Sequence, residues 1–152
     1  MIGQTGITNE INVLVRYYFD GKEDYRLASA RAPDKDQKDA LAHECQVRER
    51  MHQELQEIET TMNVEMSDNG HVSSDYKRDW ERLRGSIAGN GLEAALKLAH
   101  AADTHAITQA ERLVQAGLPE PLQSTIQKHL GELRSAVRQL DIWTSAEHQA
   151  TA

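Results

Sequence analysis

The stretch that decides the fold is KDALAHECQVRERMHQELQEIETTMN, residues 38–63. It is highly charged and contains neither Gly nor Pro, the punctuation that ends helices. Leu41, Cys45, Arg48, His52, Leu55, Ile58 and Met62 recur at spacings of three and four. On a cylinder of ~3.6 residues per turn, that spacing is one continuous stripe. The stretch therefore predicts a long helix, here expected over about 35–63. Glu49 and His52 lie three apart within it, so both project from one face.

Working outward, Ile11, Leu14, Tyr18, Gly21, Tyr25 and Ala28 form a similar stripe over about 9–31. Thr8 or Asn9 is the expected cap of that helix. Asp24 flanks its stripe, and Glu23 points nearly the opposite way. Pro33 disfavours helical geometry in its predecessor, and Asp34 follows as a cap for the second helix. A connection this short implies an antiparallel pair. Beyond Asn63, Ser67-Asp68-Asn69-Gly70 predicts a loop, and Ser73-Ser74-Asp75 offers a new cap. Tyr76, Trp80, Leu83 and Ile87 then mark a short amphipathic helix over about 75–88, closed by Gly89-Asn90-Gly91.

The next helix, about 92–116, carries Leu92, Leu96, Ala99, Asp103, Ala106, Ala110 and Leu113 on one stripe. Gly117, Pro119 and Pro121 end it. The last, about 121–143, turns Leu122, Ile126, His129, Leu133, Val137 and Leu140 inward, with a frayed tail after Thr144. The expectation is an all-α single domain over residues 1–152. Its architecture is an antiparallel four-helix bundle with a short extra helix in a long crossover.

Composition narrows the function. The formal net charge of -7 argues against nucleic acid, which needs clustered Lys and Arg. No apolar run approaches the roughly 20 residues of a membrane helix, and the N-terminus lacks the pattern of a signal peptide. Cys45 is the only cysteine, which fits a reducing, cytoplasmic setting and leaves it a small inward hydrophobe. There is no Gly-rich phosphate loop and no Gly-x-Ser-x-Gly. His43-Glu44 does not open a zinc-protease motif, because Val47 stands where the second His belongs. His71, His105 and His148 read as exposed.

The residues that could hold a metal are Glu23, Asp24, Glu49, His52, His100, Asp103, His129 and Glu132. A dinuclear bundle site needs about four carboxylates and two histidines converging from four helices, often through two Glu-x-x-His motifs. Carboxylates suit Fe and Mn, and imidazole completes the sphere. Only Glu49 and His52 form that motif here; His100 with Asp103 and His129 with Glu132 have the spacing in reverse order. The plainer reading is a layer of hydrogen-bonded polar residues, with Arg48 pairing Asp24 or Asp103.

The chain resembles an uncharacterised bacterial family of ferritin-like four-helix-bundle proteins. The resemblance is carried by Ile11-Asn12-Val13-Leu14, by Asp20-Gly21-Lys22-Glu23-Asp24-Tyr25-Arg26, by the charged second helix, and by Asp79-Trp80-Glu81-Arg82-Leu83-Arg84-Gly85-Ser86-Ile87-Ala88-Gly89. It spans roughly residues 8–143. It implies a ferritin-like fold, in a superfamily where related bundles bind paired metals, and no settled activity. The expectation is a non-enzymatic cytoplasmic bundle of unknown or stress-related role, assembled as a homo-oligomer such as a dimer. The rivals are an iron- or manganese-binding ferritin-like protein, and a helical module that docks a protein partner.

Overall fold

The computed structural model describes residues 4–62, 74–87, 89 and 91–151. The chain is helical, with no strand among these residues. Its elements are α1 (Gln4–Arg31), α2 (Lys35–Thr61), α3 (Ser74–Gly85), α4 (Leu92–Ala116) and α5 (Leu122–Thr151). No helix among the described residues is long and apolar enough to cross a membrane.

The α1 stripe is buried from Ile11 to Ala28, as its periodicity predicts. Asp34 caps α2 by accepting from the Gln37 N–H at 2.8 Å. α1 begins at Gln4, ahead of the expected Thr8 or Asn9, and α5 runs to Thr151 instead of stopping near Trp143. The residues beyond Trp143 hold Ala, Glu and Gln with no Gly or Pro, so nothing in them breaks the helix. α3 ends at Gly85, three residues short of the expected bound. Asn63, the loop at 67–70, His71, Ser73, Ala88 and the side chain of His148 lie outside the described residues.

Named contacts set the directions. Lys22 meets Glu49, and Ser29 meets Lys38, so α2 descends as α1 ascends. Tyr25 meets Asp103 and Glu10 meets Gln109, so α4 descends as well. α5 ascends, since His129 meets Glu54 and Gln139 lies across from His43. With α2 and α4 parallel, the connection between them returns from one end of the helices to the other. α3 is part of that return. It runs alongside α1 through Tyr76 on Tyr17, Trp80 on Asp20 and Arg84 on Asp24.

The turn between α4 and α5 is tied by Gln123, which accepts from the Leu118 N–H at 3.0 Å and donates to the Val114 carbonyl at 3.1 Å. Gly117 sits there at φ +80°, a conformation that favours glycine.

Apolar burial falls into two clusters. One joins Ile11, Leu14, Met51, Leu55, Leu113, Ile126 and Leu133. The other joins Tyr25, Ala28, Leu41, Leu96, Ala99 and Leu140. Gly21 lies where α1 approaches α4. A Cβ there would meet Ala102 Cβ and Asp103 Oδ1, both at 3.5 Å, which is ordinary contact. Gly21→Ala should therefore gain about 0.5–1 kcal/mol from helix propensity alone. A loss above 1 kcal/mol in chemical denaturation would show that the two helices need a closer approach than this.

A buried ionic layer as the candidate functional site

Between the two clusters lies a layer of charge. Arg48 stands on the α2 stripe one turn before His52, so the helix must carry its guanidinium inward. Its side chain is fully buried. A cation there has to be matched by anions and hydrogen-bond acceptors. Asp103 of α4 supplies the first match: its Oδ1 accepts from Nε at 3.0 Å and its Oδ2 from Nη2 at 2.7 Å. This is the two-pronged geometry that the planar guanidinium fits.

Two further groups close the site. Glu44, one turn earlier on α2, lies 3.0 Å from Nη1. The Tyr25 hydroxyl of α1 donates to Asp103, its ring lies 5.0 Å from the guanidinium, and its oxygen accepts from Nη2 at 3.4 Å. Burial alone would lower the Arg48 pKa, but Asp103, Tyr25 and Glu44 more than offset it and hold the cation charged. Burial raises Tyr25 well above the ordinary tyrosine value, so it remains a neutral donor. Burial likewise raises Glu44, against the pull of Arg48.

A second network sits beside the first. His129 of α5 is fully buried between Tyr18, 3.0 Å from Nδ1, and Glu54, 3.0 Å from Nε2. Burial lowers its pKa, so the ring is neutral. The consistent tautomer has the Tyr18 hydroxyl donating to Nδ1 and Nε2–H donating to Glu54. Glu54 also meets Arg50 at 2.8 Å, and Arg50 pairs with Glu132.

Seven of the eight residues singled out as metal candidates have described hydrogen-bond or ion-pair partners. Glu23 pairs with Arg26 at 3.0 Å, and Glu49 with Lys22 at 3.1 Å. Asp24 takes both prongs of Arg84, at 2.9 and 2.5 Å; burial holds its pKa at about 6, so the pair is charged at neutral pH. His100 meets Asp141 at 2.8 Å on the surface. Asp103, His129 and Glu132 are committed as described, and His52 is buried at the edge of the layer. Among the described residues, no group of three or more His, Cys, Asp or Glu is disposed to hold a metal ion.

The Arg48–Asp103 pair is one of the two alternatives that the stripes suggest. Tyr25 was not legible as a member, since a core tyrosine carries no mark of a partner 78 residues away; Glu44 stands four residues before Arg48, the spacing of an ordinary helical ion pair, which the stripe reading passed over. His105 corrects the expectation of exposure. It is half-buried, stacked on Tyr17 at 5.6 Å and edge-on to Trp80 at 4.9 Å, where α3 docks. Cys45, expected inward, is only half-buried.

Residues 6–116 match the family described as a domain of unknown function, DUF2383. The chain belongs to that family. No curated protein and no solved structure matches it. The DUF2383 match runs from α1 to the end of α4, so it contains Tyr25, Glu44, Arg48 and Asp103. It leaves α5, with His129 and Glu132, beyond its end. The Arg48 network is therefore built wholly from the DUF2383 segment.

Proposed function

We propose that this DUF2383 protein is a ferritin-like four-helix bundle whose internal cation is a side chain, and that it serves in the cytoplasm as a non-enzymatic helical module. The observation that carries this reading is Arg48, fully buried and held by Asp103, Glu44 and Tyr25 from three helices. In a bundle with inward carboxylates something positive must sit between them, and a guanidinium does so without coordination chemistry. The up, down, down, up order of α1, α2, α4 and α5, with α3 in the return, supports the ferritin-like arrangement.

The rival is a dinuclear iron or manganese site using Glu49, His52 and the other six candidates. Each of those with a described partner would have to leave it before turning to a metal. Metal analysis by mass spectrometry decides between the two, on untagged protein loaded anaerobically with Fe(II) or Mn(II) and then desalted. The expected result is well under one equivalent retained. Close to two equivalents, lost in Glu49→Ala, would overturn the proposal.

A further inference from the structure

A cleft of about 230 Å³ opens between α2 and α5, lined by Ala40, His43, Glu44, Ser135, Gln139 and Trp143 among others, with Tyr25 contributing from α1. Its origin is in the sequence. Ala40, Ser135 and Ala136 line the cleft with small side chains, which leave room beside the larger His43, Gln139 and Trp143. At that size it falls below the roughly 300–1,000 Å³ of a drug-sized pocket, so it suits a fragment or one extended side chain.

Charge decides what kind. Arg48 contributes one positive charge, and Asp103 and Glu44 contribute two negative ones within 3.0 Å of it. Asp103 is sealed inside, with 1 % exposed, whereas the Glu44 side chain is 25 % exposed and lines the cleft. The layer's uncompensated negative charge therefore faces the cleft through Glu44. The other titratable groups in the lining are His43, which is exposed to water, and Tyr25, which is buried and donates to Asp103. An anion would meet Glu44 first, with the guanidinium of Arg48 fully buried behind it. A cation with a short aliphatic stem would complete the charge and cover Trp143 and Ala136, whose aromatic and apolar surfaces suit the stem.

We infer that the α2–α5 cleft is a binding site for a primary ammonium group on a short alkyl chain, paired with Glu44 and packed along Trp143. That chemistry is shared by a free aliphatic diamine and by a lysine side chain of a partner. The inference uses the charge balance of the Arg48 network; whether the protein binds metal elsewhere is read independently.

The test is an NMR titration of the full chain at pH 7.5, following the Trp143 indole N–H and the Gln139 and Ala40 amides. The Trp143 resonance is assigned with Trp143→Phe. The probes are 1,5-diaminopentane and the capped dipeptide Gly-Lys, with 1-pentanol and pentanoate as neutral and anionic controls. Saturable shifts confined to the cleft are expected with the amines at millimolar concentration, at least tenfold weaker with either control. Glu44→Gln should weaken amine binding at least tenfold with the fold unchanged by circular dichroism, and Ser135→Leu should do so by filling the cleft. Tighter binding of the peptide identifies a protein partner, and tighter binding of the diamine a free polyamine. Equal binding of 1-pentanol, or undiminished binding by Glu44→Gln, would overturn the proposal. So would the absence of cleft shifts at 50-fold excess of amine.

Discussion

Arg48→Met is expected to destabilise the protein by about 3–5 kcal/mol, because it strands the Asp103 carboxylate in a dry interior with only Tyr25 as a donor. That is a large share of the 5–15 kcal/mol typical of a domain. The cost comes from the unpaired partner more than from any net attraction in the pair. Arg48→Met combined with Asp103→Leu should therefore recover most of it, leaving Glu44 free to turn toward water. Urea denaturation of the single and double variants measures both. A single variant that loses less than about 1 kcal/mol would mean water reaches the layer and the pairing is incidental.

Glu59 should produce the second large effect, and one with a distinctive pH dependence. It lies near the end of α2 with 1 % exposed and neither carboxyl oxygen hydrogen-bonded. Burial alone lifts its pKa from 4.5 to about 7. Asn12, level with it in the α1–α2 register that Lys22 and Glu49 define, also carries a buried Oδ1 with no donor. A folded pKa above the unfolded one means that the folded state favours the protonated form. Stability from this group is full below about 4.5, is lost as pH rises toward about 7, and is level beyond. At ~1.36 kcal/mol per pKa step the full loss is about 3 kcal/mol. Glu59→Gln has no charge to desolvate, so it should match the parent near pH 4.5 and exceed it by up to about 3 kcal/mol at pH 8. Parallel stability curves for the two proteins across that range would refute this account.

These two residues also show what the sequence discloses and what it hides. Arg48 and Asp103 stand on the apolar stripes of their helices, and a charge in such a row announces that it must be buried and paired. Which partner it finds depends on how α2 and α4 align across a separation of 55 residues, and no local pattern carries that alignment. Glu59 lies one position off the row formed by Leu55, Ile58 and Met62, so a single stripe assigns it to solvent. α2 packs on both α1 and α5, and its buried face is correspondingly wide enough to take in Val47, Met51 and Glu59. On α1 the stripe read from the sequence is buried throughout, but it leaves out Asn12, Val15, Tyr17, Asp20 and Asp24, which are buried because α2, α3 and α4 all face that helix. His105 reads as exposed in the sequence for a related reason: it belongs to the flank of α4 that α3 covers, and a single helix gives no sign of a third neighbour.

The metal candidates failed to be separable for a related reason. A Glu and a His three apart satisfy the same spacing whether they meet one metal or separate protein partners. Glu49 turns to Lys22, and His129 to Tyr18 and Glu54, choices made across helices and not along them.

The descent of α4 beside α1 has a consequence for the chain during its synthesis. Tyr25 leaves the ribosome 78 residues ahead of Asp103, and Arg48 leaves 55 residues ahead. At about 5–20 residues per second, the α1–α2 hairpin waits several seconds with its guanidinium and tyrosine in water. Before α4 emerges the hairpin offers that cation Glu44 but not the two-pronged Asp103 acceptor, so closing its polar seam early would leave the guanidinium short of hydrogen bonds. Full burial of Arg48 is therefore expected to accompany the docking of α4, late in translation.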